Sequence, residues 1–540
     1  MKKVFYFLVF TTISTLTFSQ SLQSAKFKTA SERYDEATNE FMTLIASDPN
    51  NVDNYFYLAE NYLLSEKVDS AVYFWQKAAD VEDKNPLRAV ANGKVLWING
   101  QQTDGLAQFE EAIKLSRKRN AEVYRQIGSF LTLAPKNDLD KAIHYLRIAT
   151  EMDPDNVDGY LLLGDAILEK DPKNGTDAIR EYNNAERVEQ SPRTIVRKAK
   201  LYQRARNYKL ADEMYVQAQT LDPKYAPAYK AHAELQSMFG KYELAIKNWE
   251  KYLSLNNDNY ARYKYAVALY SSQKYCEALK EVKALEAINY TTVYIERIDL
   301  YTTYECLESS ESKNDTAQFK IALGRLNDFI AKYALDEDIV GMDYKYKAMY
   351  LTKIGRHDEA ITAYYKAAED STVAKEVLSG LAKAFTKEAK YDDAIDAYNK
   401  IIELDSNALS LVDYFELGRV YFLAKDYKNS DNANAHVLRL SPTYSFSFFW
   451  RARANVFMDL EREEKTWEAK EYYEGFLENT TPEQQEQYKG MTLEAYKYLG
   501  DYYVNSPAKD IEKAKEVWGK VIEFDPENEA AYTKIIDKLK

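Results

Sequence analysis

The chain has 540 residues, of which 46% are hydrophobic and 29% are charged, and its formal net charge is -13 at pH 7. Only 17 Gly and 12 Pro occur, and this scarcity of turn residues disfavours a sheet-rich protein and favours long helices with short connections. The acidic balance argues against a nucleic-acid partner, whose phosphates require a basic surface, and against broad contact with anionic membranes.

The first twenty residues have the pattern of a secretory signal peptide. Two lysines precede an apolar run at residues 4–10, and small polar residues follow up to Ser19. The alternative, an anchoring helix, needs about 20 continuous apolar residues, and several Thr and Ser interrupt this stretch. We therefore predict a signal peptide at 1–19, cleaved near Ser19, and a periplasmic or secreted protein of a Gram-negative envelope. No later stretch is predicted to span a membrane.

A small residue followed four positions later by a large residue recurs along the chain. Successive small residues are mostly 33 to 39 positions apart, with a base period of 34 and longer steps of 44 before Ala322 and 45 before Ala514. Fourteen repeats of this kind cover the chain from residue 20 onward. The small residues are Ala37, Ala71, Gly105, Ala142, Ala178, Ala211, Ala245, Ala278, Ala322, Ala360, Ala394, Ser430, Ala469 and Ala514.

The clearest repeat lies near the C-terminal end. It reads Tyr496-x2-Leu499-Gly500-x2-Tyr503, then Ala514-x3-Trp518, then Pro526. The first cluster places two rings, an apolar residue and a small residue on one stripe of a helix. Ala514 lets a second helix approach closely, and Pro526 ends that helix. One helical hairpin is therefore predicted here.

This pattern resembles the tetratricopeptide repeat (TPR), and a period near 34 is the length that this family uses. The resemblance implies an exported, multi-repeat member with an all-α fold. It also implies a right-handed α-α superhelix, a TPR solenoid, of about fourteen helix-turn-helix repeats. The first helix of each repeat, helix A, is then expected to line a concave groove that holds the ligand.

The array is predicted to be continuous over residues 20–540. It comprises N-terminal repeats at 20–290, an irregular repeat at 291–340, C-terminal repeats at 341–526 and a capping helix at 527–540. The excess length of the irregular repeat falls in 306–315, whose polar composition predicts a surface loop.

Two features bear on the packing between the two helices of a repeat. Gly93, Gly128 and Gly164 recur at one register of helix A, which predicts close helix contact, because Gly inside a helix costs about 1 kcal/mol relative to Ala. Ser430 and Asn434 replace the expected Ala and aromatic residue in the twelfth repeat, so its packing does not follow from the pattern.

The sequence contains no pattern typical of a catalytic or metal site. Four His lie in four different repeats, without the i, i+4 spacing or the Cys, Asp or Glu neighbours of a metal site, and we interpret them as solvent-facing. There is no G-x-S-x-G, Gly-rich phosphate loop or H-E-x-x-H. We therefore predict a protein that is not an enzyme and has no metal and no cofactor. The His are His144, His232, His357 and His436.

A basic and aromatic patch is the candidate ligand groove. Arg paired with aromatic residues is typical of interaction hot spots. The alternative is an ordinary solvated helix face, because Lys and Arg are common on helix surfaces. The residues, on helix A of repeats six to eight, are Arg193, Lys200, Arg204, Lys230, Tyr263 and Tyr270.

One mode of partner binding that is known in this family can be compared with the sequence. Some intracellular relatives hold a partner's terminal carboxylate with Lys and Asn on helix A. The corresponding inner positions here are Phe56, Glu60, Lys230, Glu234, Phe415 and Arg419. This carboxylate clamp is therefore absent.

Two functions follow as hypotheses. The first is a non-enzymatic envelope scaffold that binds a protein or peptide partner, of unknown identity, in the concave groove. The alternative is a carbohydrate-binding or peptidoglycan-binding envelope factor, because exposed Tyr and Trp can stack on sugars.

The only two cysteines, Cys276 and Cys306, are a candidate disulfide in an oxidising envelope. Cys276 is expected at the start of helix B in repeat eight and Cys306 near the end of helix A in repeat nine, and neighbouring antiparallel helices bring such ends together. Closing this loop of roughly 30 residues would stabilise the chain by about 3 to 4 kcal/mol. The alternative is that each Cys fills a small core position.

Thiol counting in denaturant tests the disulfide directly. We expect no free thiol before reduction and two afterwards. Two free thiols before reduction would rule the bridge out.

Overall fold

The computed structural model describes residues 21–334, 339–404 and 409–539, and every regular element in these ranges is helical. The predicted signal peptide at 1–19 lies outside the described residues. Within the described ranges, no helix combines the length and the apolar character that a bilayer span requires. The chain divides into two compact units, Met1–Thr291 and Thr292–Lys540, here called the N-terminal and C-terminal units.

The N-terminal unit consists of helix pairs. Its helices are α1 (Leu22–Ala30), α2 (Tyr34–Ser47), α3 (Val52–Leu64), α4 (Val68–Asp80), α5 (Leu87–Ile98), α6 (Gln102–Leu115), α7 (Ala121–Leu133), α8 (Leu139–Met152), α9 (Val157–Lys170), α10 (Gly175–Val188), α11 (Pro192–Arg204), α12 (Tyr208–Leu221), α13 (Ala226–Met238), α14 (Tyr242–Leu253), α15 (Asn259–Ser271) and α16 (Tyr275–Ala287).

The C-terminal unit continues the pairs and adds short segments. Its helices are α17 (Val293–Ser309), α18 (Thr316–Tyr333), α19 (Gly341–Lys353), α20 (His357–Ala368), α21 (Ala374–Lys387), α22 (Tyr391–Leu404), α23 (Leu411–Leu423), α24 (Tyr427–Leu440), α25 (Ser445–Leu460), α26 (Ala469–Glu478), α27 (Pro482–Gln487), α28 (Lys489–Asn505), α29 (Ile511–Phe524) and α30 (Glu529–Asp537), with 3-10 segments at Glu311–Asn314 and Pro526–Asn528.

The predicted all-α repeat fold is confirmed. Fourteen helix pairs can be traced in the described ranges, and each of the fourteen small residues falls in the second helix of a pair. Those residues are buried, from Ala37 to Ala514, because the two helices of a pair meet there. Successive A helices also touch, for example α5 with α7 in the N-terminal unit and α23 with α25 in the C-terminal unit. The pairs therefore stack as in a solenoid.

The three glycines of repeats three to five confirm the predicted close contact between helices. A Cβ added at Gly93 would lie 2.5 Å from Phe109 Cε1 and 2.9 Å from the Gly105 carbonyl oxygen. A Cβ at Gly128 or Gly164 would likewise lie within 2.6 Å of a side chain of the paired helix. Only a residue without a side chain fits at these positions.

We expect Gly93→Ala to destabilise the N-terminal unit by about 1 to 3 kcal/mol, because the added methyl group must displace a ring and a backbone carbonyl. Gly324→Ala in α18 is the matched control. No atom lies within 4 Å of its added Cβ, so better helix propensity should stabilise the chain by up to about 1 kcal/mol. Urea unfolding followed by circular dichroism measures both. Equal effects of the two substitutions would contradict the packing described here.

The prediction of a surface loop at 306–315 is wrong for most of its length. Helix α17 continues to Ser309, whose hydroxyl donates to the Glu305 carbonyl at 2.7 Å. A 3-10 segment then covers Glu311–Asn314, with Ser310 as its N-cap. The polar composition of this stretch indicated its exposure correctly, but it did not indicate that the stretch is helical. Hydrogen bonds between local side chains and the backbone stabilise its turns.

The twelfth repeat packs through hydrogen bonds rather than through Ala and an aromatic ring. Ser430 and Asn434 are fully buried. The Ser430 hydroxyl donates to the Gly418 carbonyl at 2.7 Å, and the Asn434 amide donates to the Ser430 carbonyl at 3.0 Å. A Cβ at Gly418 would lie 2.4 Å from Asn434 Nδ2, so the glycine makes room for the amide.

The prediction that all four His face solvent is wrong for His232. This residue lies in α13 and is only 4% exposed. Its Nε2 lies 3.0 Å from Asp212 Oδ1, and its Nδ1 lies 3.1 Å from Gln219 Nε2. Burial lowers its pKa, and the Asp212 carboxylate opposes that shift. His232 therefore belongs to the polar packing between α12 and α13.

Candidate interaction surfaces

The six residues predicted to form the groove lie on three alternate helices of the N-terminal unit. Lys200 is exposed, and Arg204 donates to the Pro172 carbonyl at 2.6 Å. Tyr263 and Tyr270 are half-buried on α15. The full set is Arg193, Lys200 and Arg204 on α11, Lys230 on α13, and Tyr263 and Tyr270 on α15.

Acidic residues of neighbouring A helices offset the charge of this patch. Arg193 forms an ion pair with Asp158 of α9. Lys230 Nζ lies 3.2 Å from Oδ2 of Asp258, which caps α15. The prediction of a basic patch therefore overestimated the positive charge available to a ligand.

Sequence reasoning missed Arg197, which lies on the same stripe of α11. Its Nε lies 2.8 Å from Asp165 Oδ2, and the Tyr182 hydroxyl donates to the same carboxylate at 2.7 Å. The spacing i, i+4 from Arg193 was a signal that would have found it. This stripe is a network of paired charges rather than a row of unpaired cations.

The first repeat contacts the far end of the N-terminal unit. The Tyr252 hydroxyl lies 2.9 Å from Glu32 Oε2, although 220 residues separate the two. The same hydroxyl lies 3.0 Å from Asp258 Oδ2 and accepts a hydrogen bond from Asn256 at 2.8 Å. Burial and the two carboxylates raise the pKa of Tyr252. The turn between α1 and α2 therefore meets the junction between α14 and α15.

Helix α1 also occupies part of the inner surface. Lys26 Nζ lies 3.9 Å from the centroid of the Tyr57 ring on α3. Burial lowers the pKa of Lys26, and the nearby Arg125 of α7 lowers it further. The inner face of the N-terminal unit is therefore partly covered by the chain's own first helix, which leaves less room for a partner.

A more accessible surface lies on two A helices of the C-terminal unit. Helices α23 and α25 each present a stripe of aromatic and arginine side chains with helical spacing. These side chains are half-buried, whereas an ordinary core residue would be fully buried. We call them the arginine–aromatic surface, which consists of Phe415, Arg419 and Phe422 on α23 and Phe446, Trp450, Arg453 and Phe457 on α25.

The two stripes interlock through ring contacts and cation-π contacts. Arg453 Cζ lies 5.1 Å from the Phe422 ring centroid and 5.4 Å from that of Trp450. Arg419 Cζ lies 5.8 Å from the Trp450 centroid. The Phe422 ring lies 5.1 Å from Trp450 and 5.4 Å from Phe457, in both cases edge to face. Each cation-π contact at such a site contributes about 0.5 to 1 kcal/mol, so the side chains hold one another in place.

The arginines of this surface are paired but still accessible. The side chain of Arg419 is 42% exposed and lies 3.0 Å from Glu416. That of Arg453 is 32% exposed and lies 3.1 Å from Glu494. Val412, one turn before Phe415 on α23, is 58% exposed and extends the apolar area. The surface combines exposed apolar area with guanidinium donors, which is the composition of protein-interaction hot spots.

Two sequence signals could have identified this surface. Phe415 and Arg419 were assigned to inner positions, and the segment from Tyr444 to Trp450 is too aromatic for the core face of one helix alone. The inner assignment of Phe56 and its use in the clamp comparison were wrong, since Phe56 is fully buried. The surface becomes apparent only when the aromatic residues of repeats twelve and thirteen are considered together.

Comparison with protein families identifies the repeat. A family model described as tetratricopeptide repeat matches residues 130–192 and 346–408, and a second such model matches residues 192–225. The chain contains tetratricopeptide repeats. The resemblance seen in the sequence is thereby confirmed, and tetratricopeptide repeats suggest a protein-interaction scaffold.

Known tetratricopeptide-repeat proteins match parts of the chain. A TPR repeat-containing protein of Methanocaldococcus jannaschii is 25% identical over 232 residues, which are 42% of this chain and 40% of that protein. The chain thus spans about two fifths of the length of this curated relative. The C-terminal part of a TPR repeat-containing protein from Cytophaga hutchinsonii is 26% identical, with a TM-score of 0.42, covering 52% of this chain and 99% of that structure. A tetratricopeptide repeat protein from Parabacteroides merdae is 18% identical, with a TM-score of 0.32, over 46% of this chain and 98% of that structure.

Proposed function

We propose that this tetratricopeptide-repeat protein is a non-enzymatic scaffold of the Gram-negative envelope. In this proposal residues 1–19 direct its export, and the mature protein binds a protein or peptide partner through the arginine–aromatic surface of the C-terminal unit. The observation that carries the proposal is the placement of two accessible guanidinium groups against the rings of Phe422 and Trp450.

The chemistry of the surface favours a segment with aromatic or aliphatic side chains next to an acid. The half-buried rings of Trp450 and Phe422 offer apolar contact area that is already held in place, so little side-chain entropy is lost on binding. The guanidinium groups can each bind one carboxylate of the partner while retaining their ring contacts. A partner residue that inserts between α23 and α25 would therefore be held by both kinds of contact.

Capture from an envelope extract tests the function. We expect immobilised full-length protein to retain one or a few proteins, and to lose them when Arg419 and Arg453 are both replaced by Glu. The triple replacement of Arg193, Lys200 and Arg204 by Glu tests the groove predicted from the sequence. Loss of capture in that variant alone would move the proposed site to the N-terminal unit.

Carbohydrate binding is the second candidate, because the half-exposed ring of Trp450 can also stack on a sugar. Sedimentation of the protein with insoluble peptidoglycan distinguishes the two functions. Under the scaffold proposal, the protein stays in the supernatant when no partner is added. Cosedimentation that the Trp450→Ala variant loses would favour the carbohydrate function.

A further inference from the structure

A pocket of about 590 Å³ opens in the C-terminal unit beside the 3-10 segment Glu311–Asn314. This segment belongs to the extra length of repeat nine. The spacing of 44 residues that ends at Ala322 is the longest of the first eight spacings between successive small residues. Most other A and B helices of the repeats are joined by only three residues, as α19 is joined to α20. The wall of the pocket is thus an addition to the ordinary repeat.

Three ammonium groups line this pocket and one carboxylate opposes them. Lys313 comes from the 3-10 segment, Lys353 from α19 and Lys387 from α21. Lys353 Nζ lies 2.5 Å from Glu308 Oε2, which neutralises that pair. In the part of the chain that the structure describes, Lys313 and Lys387 form no ion pair, so the pocket carries two uncompensated positive charges in a chain of net charge -13.

Helix ends account for part of this arrangement but not for all of it. Lys353 and Lys387 lie in the last turns of their helices, where a cation offsets the partial negative charge of the helix end. Lys313 lies in the last turn of the short inserted 3-10 segment, just before the N-terminal end of α18, where the dipole of α18 does not favour a cation. Thr316, the first residue of α18, also lines the pocket. One cation, Lys313, therefore faces the space from the side that the insertion adds, beside the first residue of α18.

We propose that this pocket binds a small organic polyanion, either a phosphate ester or a di- or tricarboxylate. Its volume is in the range of about 300 to 1,000 Å³ that is usual for small-molecule sites. Lys313 and Lys387 bind the anionic group, and the hydroxyl of Thr316 and the amide of Asn314 are within the same wall. Tyr304 and Met349 supply apolar surface for the carbon skeleton. This site is separate from the arginine–aromatic surface and does not rest on the scaffold function.

Calorimetric titration of the full-length protein at low salt tests the proposal with three probes: citrate, glucose phosphate and neutral glucose. We expect at least one of the two anions to bind with a millimolar or lower dissociation constant and glucose not to bind. The double variant Lys313→Gln/Lys387→Gln should weaken anion binding by about tenfold or more, because two charges a few ångströms from the ligand are lost. Increasing salt should weaken binding by the wild type.

Lys375→Gln is the matched control, because Lys375 is an exposed lysine on α21 that does not line the pocket. We expect it to bind the anion within about twofold of the wild type, which is the scatter expected for a distant surface change. Binding of citrate but not of glucose phosphate, or the reverse, identifies the anionic group. No binding of either anion by the wild type, or equal binding by the wild type and the double variant, would overturn the proposal. Circular dichroism of each variant checks that its helices are intact.

Discussion

Replacing Glu60 by Ala should lower the free energy of unfolding of the N-terminal unit by about 3 to 5 kcal/mol. Lys94 Nζ lies 2.6 Å from Glu60 Oε1, and the Lys94 side chain is fully buried. The rings of Phe56, Trp75 and Phe130 surround its ammonium group, at 4.6 to 5.4 Å. Without Glu60, a cation would remain in an apolar environment with no counter-charge.

Two further facts support the size of this effect. Burial lowers the pKa of Lys94 while Glu60 raises it, so the carboxylate is what favours the charged form. The Trp75 indole also donates to Glu60 Oε1 at 2.9 Å, so the substitution leaves a second donor without its acceptor. An unsatisfied buried donor costs about 1 to 3 kcal/mol.

Urea unfolding followed by circular dichroism, together with hydrogen exchange of α3 and α5, measures the change. The double variant Glu60→Ala/Lys94→Met should recover most of the lost stability, because removal of both charges leaves an apolar site. Glu359→Ala breaks an exposed ion pair with Arg356 and should change stability by less than about 0.5 kcal/mol. A loss below about 1 kcal/mol for Glu60→Ala would contradict the structural role assigned to Glu60.

The repeat fold was predictable because it depends on local spacing. A small residue followed four positions later by a large one, recurring about every 34 residues, identifies each hairpin without knowledge of how the hairpins pack. The charge pairs were harder to foresee, although they follow the same period. Lys94 lies 34 positions after Glu60 and Arg193 lies 35 positions after Asp158, so these pairs join adjacent A helices. A comparison of residues one period apart would have found both.

The candidate sites depend on longer-range geometry. The contact between Glu32 and Tyr252 spans 220 residues, and no local spacing indicates that the first repeat reaches the junction of α14 and α15. The arginine–aromatic surface also needs two stripes from different repeats. Each stripe is visible in the sequence, but the register that brings Phe422 against Trp450 depends on how successive hairpins stack.

Trp450→Ala should weaken binding of the captured partner by about 30-fold or more, which corresponds to a loss of at least 2 kcal/mol. Trp450 contacts Phe422, Arg419 and Arg453 at once, so its removal also releases both guanidinium groups from the positions that a partner would meet. The measurement is a titration of the purified partner against wild-type and variant protein.

Trp467→Ala is the matched control for this substitution. Trp467 is also half-buried in the C-terminal unit, but it contacts Tyr498 and Tyr502 and lies outside the arginine–aromatic surface. Its replacement should leave the affinity within about threefold of the wild type. Equal losses of affinity in both variants would indicate a general loss of structure rather than a binding site at Trp450.

Hydrogen–deuterium exchange of the full-length protein, with and without the captured partner, tests the location of binding most directly. We expect the partner to slow exchange in α23 and α25, over Leu411–Leu423 and Ser445–Leu460, and to leave exchange in α11 and α13 unchanged. Slower exchange in α11 and α13 with no change in α23 and α25 would contradict the assignment of the arginine–aromatic surface as the binding site.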